Sequence, residues 1–307
     1  MARVKIEKEV EDELEGGSAA PAYAAPALEK GLDILETLSA SNVALSQIEI
    51  AERIGRSVSQ MYRMLTCLVS RNYVANVGES YSITTKLFEL AHNNPPTNHL
   101  LSEATPIMQE LASEIEQACH LTVFSAGRQV VIAKVDSPSW VGFSIRVGAL
   151  LDLLVSASGR VLLAFQDPTT RDLRIKEALR HRPQDAEIEI GKILESIQDR
   201  GFESMVSMQV KGLHAISFPI LDTRNRAMAA LTVPYADRLE QSGSKSIADA
   251  EVALGRAAKT LSERMGWREG VSNVEILGLG EAGADDTPRR RRRAKLGNVS
   301  DTVRQRS

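Results

Sequence analysis

Hydroxyl, amide and guanidinium side chains cluster in a stretch of the chain that contains no acidic residue. No Asp or Glu occurs between residues 56 and 78. The polar residues of interest there are Arg56, Ser57, Ser59, Gln60, Tyr62, Arg63 and Arg71. These groups are the ones that proteins use to hydrogen-bond base edges and phosphate oxygens of DNA. Such chemistry requires that most of them share one face of a helix.

Two capping boxes predict the helices that carry these side chains. The segment Ser46–Glu49 is a capping box, and Gly55 supplies the left-handed residue that ends the helix it opens. The segment Ser57–Gln60 is a second capping box, and the apolar residues after it repeat at helical spacing. The result is a helix, a tight turn and a second helix whose polar face lies near its N-terminus, as in DNA-binding helix-turn-helix units.

Flanking elements complete a winged unit over residues 27–90. An apolar helical pattern that starts at Leu28 predicts a helix before the helix-turn-helix. The strand-like segments Tyr73–Ala75 and Tyr81–Thr84 flank a turn that contains Gly78, which predicts a hairpin wing. The predicted DNA contacts are Ser46, Gln47, Arg56, Ser57, Ser59, Gln60, Tyr62, Arg63, Arg71 and Gly78. The competing interpretation is an ordinary three-helix packing unit with a solvated polar face.

Charge is distributed unevenly along the chain. The net charge is −3, but residues 287–307 contain eight basic residues and one acidic residue, including Arg289–Arg293, whereas residues 27–90 contain six basic and seven acidic residues. DNA affinity depends largely on phosphate neutralisation, so a weakly charged unit should need dimerisation. The basic run is either a non-specific DNA contact or a solvated tail. We expect an acidic, disordered leader at residues 1–26 and a disordered basic tail at residues 268–307.

The rest of the chain predicts an α+β domain with an antiparallel sheet. The paired prolines Pro95 and Pro96 mark the predicted domain boundary after the winged unit. They belong to a predicted linker and long helix at residues 91–118. Strand patterns at 121–125, 129–135, 142–147, 214–220 and 227–233 alternate with helical stretches up to residue 267. Ser156–Gly159 precedes one such helix, and its free N–H groups predict an anion site, with simple helix capping as the alternative.

Several function classes find no support in the sequence. The five histidines lack metal-ligand spacing, no phosphate-binding glycine motif occurs, and no nucleophile elbow is present. We therefore expect no catalytic residue, metal or cofactor. The two cysteines, Cys67 and Cys119, form no spaced pair, and no run is long enough for a membrane span. The expected location is cytoplasmic.

Seven segments occur in an order that resembles one known family. They are Ala27–Leu35, Ile50–Gly55, Tyr62–Leu68, Ser158–Phe165, Arg200–Phe202, Gly212–Pro219 and Ala229–Val233. Over roughly residues 27–266, this order resembles the IclR family of bacterial transcriptional regulators. One departure is Arg160, because the family usually has lysine after that glycine.

The resemblance implies an N-terminal winged helix-turn-helix domain and a C-terminal GAF-like effector-binding domain at residues 119–267. It also implies a homodimer or homotetramer that binds palindromic operator DNA near catabolic genes, as a repressor or activator, and a small organic acid as effector. The positions it implies for ligand binding are Leu153, Ala157, Ser158, Met205, Ala215, Ser217 and Thr232.

Three positions where the family has polar pocket residues carry Met205, Ala215 and Pro234 in this chain. Fewer polar partners favour an aromatic or apolar acid over a very small, strongly hydrated one. The alternative function is a metabolite-binding sensor or enzyme whose N-terminal helices only dimerise.

Overall fold

The chain divides into two compact units between Gln109 and Glu110. The computed structural model describes residues 25–140, 142–237 and 245–269. Residues 1–24 of the leader predicted at 1–26 lie outside the described residues, as does the basic run Arg289–Arg293. Pro26 already belongs to the first helix. No helix within the described ranges is both long and apolar enough to cross a membrane.

The N-terminal unit contains short helices and a small sheet. Its elements are α1 (Pro26–Ser39), β1 (Leu45–Ser46), α2 (Gln47–Ile54), α3 (Val58–Ser70), β2 (Val74–Val77), β3 (Ser80–Ile83) and α4 (Lys86–His92). The helix α5 (Pro95–Ile115) follows and contains the division between the two units. The three strands are antiparallel in the order β1-β3-β2. The core is formed by Ile34, Leu38, Leu45, Ile50, Met61, Leu65 and Val74.

One of the two predicted capping boxes is present. The Ser46 hydroxyl accepts the Glu49 N–H at 3.3 Å, and the Glu49 carboxylate accepts the Ser46 N–H at 2.7 Å. Gly55 ends α2 with φ +68°. The prediction for Ser57 was wrong in part, because Ser57 is the N-cap residue of α3 but its side chain accepts no capping hydrogen bond. Its hydroxyl lies 3.2 Å from the Ser59 hydroxyl instead, and both residues are exposed.

The wing is a tight hairpin. Val77 pairs with Ser80, so the turn consists of Gly78 and Glu79 only and is shorter than the sequence indicated. Gly78 has φ +68°, a backbone conformation that residues with a Cβ atom rarely adopt.

The C-terminal unit is built on a six-stranded antiparallel sheet in the order β6-β5-β4-β9-β8-β7, which confirms the α+β prediction. Its strands are β4 (Cys119–Ser125), β5 (Arg128–Val135), β6 (Leu150–Asp152), β7 (Glu203–Val206), β8 (Leu213–Leu221) and β9 (Ala227–Ala236). Its helices are α6 (Ala157–Ala164), α7 (Pro168–His181), α8 (Ile190–Arg200) and α9 (Ile247–Arg264), with a 3-10 turn at Pro183–Glu187.

Three strand assignments in the C-terminal unit differ from the sequence prediction. Residues 142–147 form no strand, and the sheet is extended instead by Leu150–Asp152 and Glu203–Val206. The apolar side chains of Phe143 and Ile145 made 142–147 resemble a strand. They line a cavity rather than alternate along a ladder.

The two faces of the sheet pack against different helices. Successive side chains along a strand point to opposite faces. Ala215 and Thr232 line a cavity together with the first residues of α6. On the other face, Phe218 approaches Gly255 of α9, and Ser204 donates to Glu251 of the same helix. The sheet is therefore covered by α6 on one side and by α9 on the other.

Candidate functional site

The polar face of α3 is exposed along its N-terminal half. The apolar residues Met61 and Leu65 are buried, whereas the opposite face lies in solvent. That exposed face carries Ser57, Ser59, Gln60, Tyr62 and Arg63. Tyr62 keeps 61% of its surface exposed, which is high for an aromatic residue. The face presents hydrogen-bonding groups and no carboxylate, an arrangement suited to the DNA major groove.

The arginines at the ends of α3 differ in how they are paired. Arg56 forms an ion pair with Asp33 of α1, with Nη2 and Oδ2 3.2 Å apart. Arg63 and Arg71 are exposed and form no ion pair among the described residues. Arg56 therefore carries a partly neutralised charge, whereas Arg63 and Arg71 are available to an external anion.

The remaining predicted contacts lie at the start of α2 and in the wing. Ser46 and Gln47 are partly buried, and the Ser46 hydroxyl is already engaged in capping α2. The Gln47 Nε2 atom is buried and has no hydrogen-bond partner among the residues that the structure describes. Gly78 is exposed at the tip of the wing. The structure therefore places every predicted DNA contact in the N-terminal unit, with the most accessible ones on α3 and the wing.

A cavity of about 50 Å³ lies in the C-terminal unit between the N-terminus of α6 and the sheet. Most of its lining is apolar: Phe143, Ile145, Leu151, Val155, Ala157, Met205, Met208, Val210, Leu213, Ala215 and Pro234. The polar lining residues are His120, Ser156, Ser158, Ser207, Gln209 and Thr232. A single water needs about 10–15 Å³ on a comparable scale, whereas a cavity that binds benzene measures about 150 Å³, so this space lies between the two.

The start of α6 forms one polar end of this cavity. The Ser156 hydroxyl caps α6 by accepting the Gly159 N–H at 3.1 Å, and the Gln129 side chain donates to that hydroxyl at 2.6 Å. The N–H groups of Ala157 and Ser158 have no acceptor within the described part of the chain. Unpaired N–H groups at a helix N-terminus favour an anion, because the helix dipole adds partial positive charge there.

The sheet supplies a second polar wall. His120 and Thr232 are register partners on neighbouring strands, and Thr232 is the partner of Ser217 on the next strand. The hydroxyls of Ser217 and Thr232 lie 2.8 Å apart. Burial lowers the pKa of His120 from 6.5 to about 4, so its imidazole is neutral at physiological pH. Its Nδ1 atom is buried and has no hydrogen-bond partner in the described part of the chain.

Arg160 lies behind the cavity wall as a buried cation. Its Nη1 lies 3.5 Å from a carboxylate oxygen of Glu203, and its Nε donates to the Leu154 carbonyl at 3.0 Å. Its Nη1 and Nη2 atoms also lie 3.4 Å and 3.6 Å from the sulfur atoms of Met205 and Met208, respectively. Arg160 thus contacts two cavity-lining methionines, Met205 of β7 and Met208.

The predicted ligand positions are mostly brought together. Ala157, Ser158, Met205, Ala215 and Thr232 line the cavity. Leu153 belongs to the hydrophobic core instead, and Ser217 lies behind Thr232. The cavity also uses residues that sequence reasoning did not select, among them His120, Phe143, Ile145 and Met208. The signal available for His120 was a histidine directly before the apolar strand pattern at 121–125.

The described residues offer no arrangement for metal or hydrolytic chemistry. They contain no group of three or more His, Cys, Asp or Glu side chains placed to hold a metal ion. Ser204 lies 2.8 Å from His214 and donates to Glu251. In a hydrolytic triad the imidazole stands between hydroxyl and carboxylate, whereas here the hydroxyl occupies the middle. Burial raises the pKa of the Cys119 thiol to about 12, which leaves it unreactive.

Two family models cover most of the described chain. The model of the bacterial transcriptional regulator IclR C-terminal domain matches residues 96–262, and that of the IclR helix-turn-helix domain matches residues 27–78.

Relatives agree with these matches. The HTH-type transcriptional regulator KdgR of Escherichia coli is 28% identical over 231 residues, which are 72% of this chain and 86% of KdgR. The crystal structure of HmgR from Pseudomonas aeruginosa is 26% identical, with a TM-score of 0.61 over 78% of this chain and 99% of HmgR. An IclR homolog from Microbacterium hydrocarbonoxydans, complexed with 4-hydroxybenzoate, shares the fold at 19% identity, with a TM-score of 0.65 over 78% of this chain and 99% of the homolog.

The matched family models and relatives are those of transcriptional regulators, not of enzymes. The C-terminal match alone covers more than half of the chain. The polar face of α3 lies in the region matched by the helix-turn-helix model, and the cavity at the N-terminus of α6 lies in the region matched by the C-terminal model. The chain therefore belongs to the IclR family of bacterial transcriptional regulators.

Proposed function

We propose that this regulator binds palindromic operator DNA as a dimer or dimer of dimers and senses a small organic acid that controls expression of catabolic genes. The observation that carries the proposal is the cavity at the N-terminus of α6, in a chain whose other unit exposes a helix face without carboxylates. The first feature suits a small anion, and the second suits DNA.

The DNA part of the proposal rests on α3 and the wing. Ser57, Ser59, Gln60, Tyr62 and Arg63 enter the major groove, while Arg71 and the wing tip at Gly78 contact the backbone. Residues 27–90 carry nearly balanced charge, so phosphate neutralisation by one copy is weak. Two copies would place their recognition helices about 34–36 Å apart on one face of the duplex.

The effector part of the proposal rests on the shape and polarity of the cavity. A carboxylate binds the N–H groups of Ala157 and Ser158, and the body of the acid fills the apolar space beside Met205 and Ala215. The apolar lining suits the body of a ring or of a short chain, and the cavity of about 50 Å³ has to widen when a ring enters it, because a cavity that binds benzene measures about 150 Å³. The 4-hydroxybenzoate bound to the Microbacterium homolog supports an aromatic acid. Effector binding then alters the DNA affinity, because it favours one arrangement of the dimer.

The test measures operator binding by the full chain with and without acids. DNA upstream of the gene and of its neighbours is compared with random duplex by fluorescence anisotropy, across a range of salt concentrations and with aromatic or short aliphatic acids. The expected result is sequence-selective binding that at least one acid changes. Selective binding that no acid alters would contradict the effector part, and a change in binding caused by aliphatic acids alone would contradict the aromatic preference.

A matched pair of variants tests the role of α3. We expect Arg63→Ala to weaken operator binding by about 1–3 kcal/mol while leaving random duplex less affected, because a base-edge contact carries sequence information. Arg71→Ala should weaken both duplexes alike, since a phosphate contact carries none. An equal loss on both duplexes for Arg63→Ala would show that this arginine contacts only phosphate.

A further inference from the structure

The connection between β7 and β8, residues 207–212, lies between the cavity and solvent. Four of its residues line the cavity: Ser207, Met208, Gln209 and Val210. Of these, Met208 keeps 62% of its surface exposed and Val210 keeps 38%. A residue that lines a cavity and also faces solvent forms a wall only one side chain thick. The opposite wall is formed by the start of α6, a helix whose residues are all buried.

This connection is shaped by its own hydrogen bonds. The Ser207 hydroxyl accepts the N–H groups of Gln209 at 3.3 Å and of Val210 at 3.1 Å. At its base, the Ser207 N–H donates to the Leu213 carbonyl at 2.9 Å. Within the described chain, no backbone hydrogen bond joins residues 208–212 to another element. The turn can therefore move as one piece about its two ends.

Two side-chain contacts join this turn to the rest of the unit. Gln209 Nε2 donates to Asp152 Oδ2 at 3.2 Å, and Asp152 belongs to β6, the edge strand at the other end of the sheet. The Asp152 carboxylate is held in turn by Arg182, whose Nη1 lies 3.3 Å from the same oxygen. The Met208 sulfur lies 3.6 Å from Nη2 of Arg160, which is a weak contact because thioether sulfur is a poor acceptor. The hydrogen bond from Gln209 is therefore the stronger of the two.

The size of the cavity requires one of its walls to move when a ring enters. Its volume is about 50 Å³, whereas a cavity that binds benzene measures about 150 Å³. Protein interiors are close-packed, so a displacement of α6 or of the central strands would disturb contacts throughout the core. A displacement of residues 207–212 breaks one hydrogen bond and one sulfur contact, and it moves side chains that already face solvent.

We propose that residues 207–212 are a lid that opens to admit the effector, and that the hydrogen bond between Gln209 and Asp152 is its latch. The proposal rests on the effector function proposed above and adds the route of entry and the residue that controls it. Because the contact with Arg160 is weak, the latch determines the fraction of time for which the lid is open. A weaker latch therefore speeds both entry and release of a ligand.

The test measures access to the cavity without any ligand. Val155 lines the cavity and is 7% exposed, so Val155→Cys places a thiol inside it. Cys67→Ser removes the exposed native thiol. Cys119 is kept as an internal reference, because it is buried and burial raises its pKa to about 12. The full-length protein with both substitutions is treated with methyl methanethiosulfonate, and labelling of each thiol is followed by mass spectrometry.

Gln209→Ala, added to this protein, should label the introduced thiol roughly fivefold faster, the factor expected for loss of one hydrogen bond of ordinary net strength. Lys211→Ala is the matched control, because Lys211 is an exposed residue of the lid that contributes to neither of the two contacts. It should leave the labelling rate unchanged. Labelling of Cys119 should be equally slow in all of these proteins. For an acid that binds, Gln209→Ala should raise the association and dissociation rates together in stopped-flow measurements.

The outcomes separate the lid from the effector function. Equal labelling rates for Gln209→Ala and Lys211→Ala would overturn the lid, as would a parallel rise at Cys119, which would indicate opening of the whole unit. An introduced thiol that reacts as fast as Cys67 before the latch is removed would also overturn it. Should Val155→Cys fail to fold, Thr232→Cys replaces it, since Thr232 lines the cavity and is 3% exposed. If no acid binds, the effector function fails, while the labelling rates still decide whether the lid opens.

Discussion

Replacing Gly159 with alanine tests how tightly α6 is pressed against the preceding chain. A Cβ atom at Gly159 would lie 2.1 Å from the carbonyl oxygen of Leu153 and 2.6 Å from its carbonyl carbon. An ordinary contact between carbon and oxygen is about 3.3 Å or longer. Because both colliding atoms of Leu153 belong to the backbone, no change of rotamer relieves the overlap. The start of α6 must therefore move by about 1 Å.

The energetic consequence follows from the burial of the helix. Every residue of α6 is buried, so a displacement disturbs packing on all sides. Overpacking a core costs about 3 kcal/mol at the upper end of the usual range. Alanine favours a helix over glycine by about 1 kcal/mol, which offsets part of this cost. The net loss is about 2 kcal/mol, or roughly 4–8 °C in Tm for a unit of this size.

Thermal unfolding followed by tryptophan fluorescence measures this loss. The chain has two tryptophans, Trp140 and Trp267, and both lie in the C-terminal unit. Gly191→Ala is the control, because Gly191 lies in α8 with no atom within 4 Å of an added Cβ. We expect Gly191→Ala to leave Tm unchanged or raise it slightly. Equal changes in Tm for the two variants would refute the close contact between α6 and Leu153. Gly159→Ala should also lose acid binding, since the N–H groups of the site move with the helix.

Three further predictions concern individual charges. Asp33→Asn should release Arg56 from its ion pair and strengthen binding to random duplex. The slope of log K against log salt concentration should steepen by about one released counterion. Unchanged binding would mean that Arg56 does not reach DNA. Glu203→Gln removes the carboxylate beside buried Arg160 and should lower the free energy of unfolding in urea by about 3 kcal/mol. An unchanged free energy of unfolding would show that the contacts with Met205 and Met208 suffice to accommodate the buried guanidinium. The pKa of His120 is about 4 in the folded protein and 6.5 in the unfolded chain, so the unfolded chain binds more protons between these two pH values. The free energy of unfolding should therefore fall by up to about 3 kcal/mol as the pH drops from 6.5 to 4. His120→Phe should show a smaller decrease over this pH range.

Local structure in the N-terminal unit was largely predictable from the sequence. The capping box at Ser46 and the left-handed Gly55 depend on residues three or four positions apart, so their geometry follows from short-range chemistry. The helical spacing of Met61 and Leu65 likewise determined which face of α3 is buried and left the polar face exposed. The second capping box failed because Ser57 and Ser59 approach each other, an alternative that is also local and that the pattern does not distinguish.

The effector cavity depended on tertiary structure. His120 and Thr232 are 112 positions apart in the chain, and only the antiparallel register of β4 and β9 makes them neighbours. The apolar side chains at 142–147 were compatible with a strand until the structure showed that Phe143 and Ile145 fill space beside α6. The amino-acid sequence by itself determined the family, the order of the helices and the exposed face of α3, because these follow from patterns within a few turns of chain. The composition of the cavity was decided by strand register and helix packing, because contacts between distant segments depend on the folding of the whole unit.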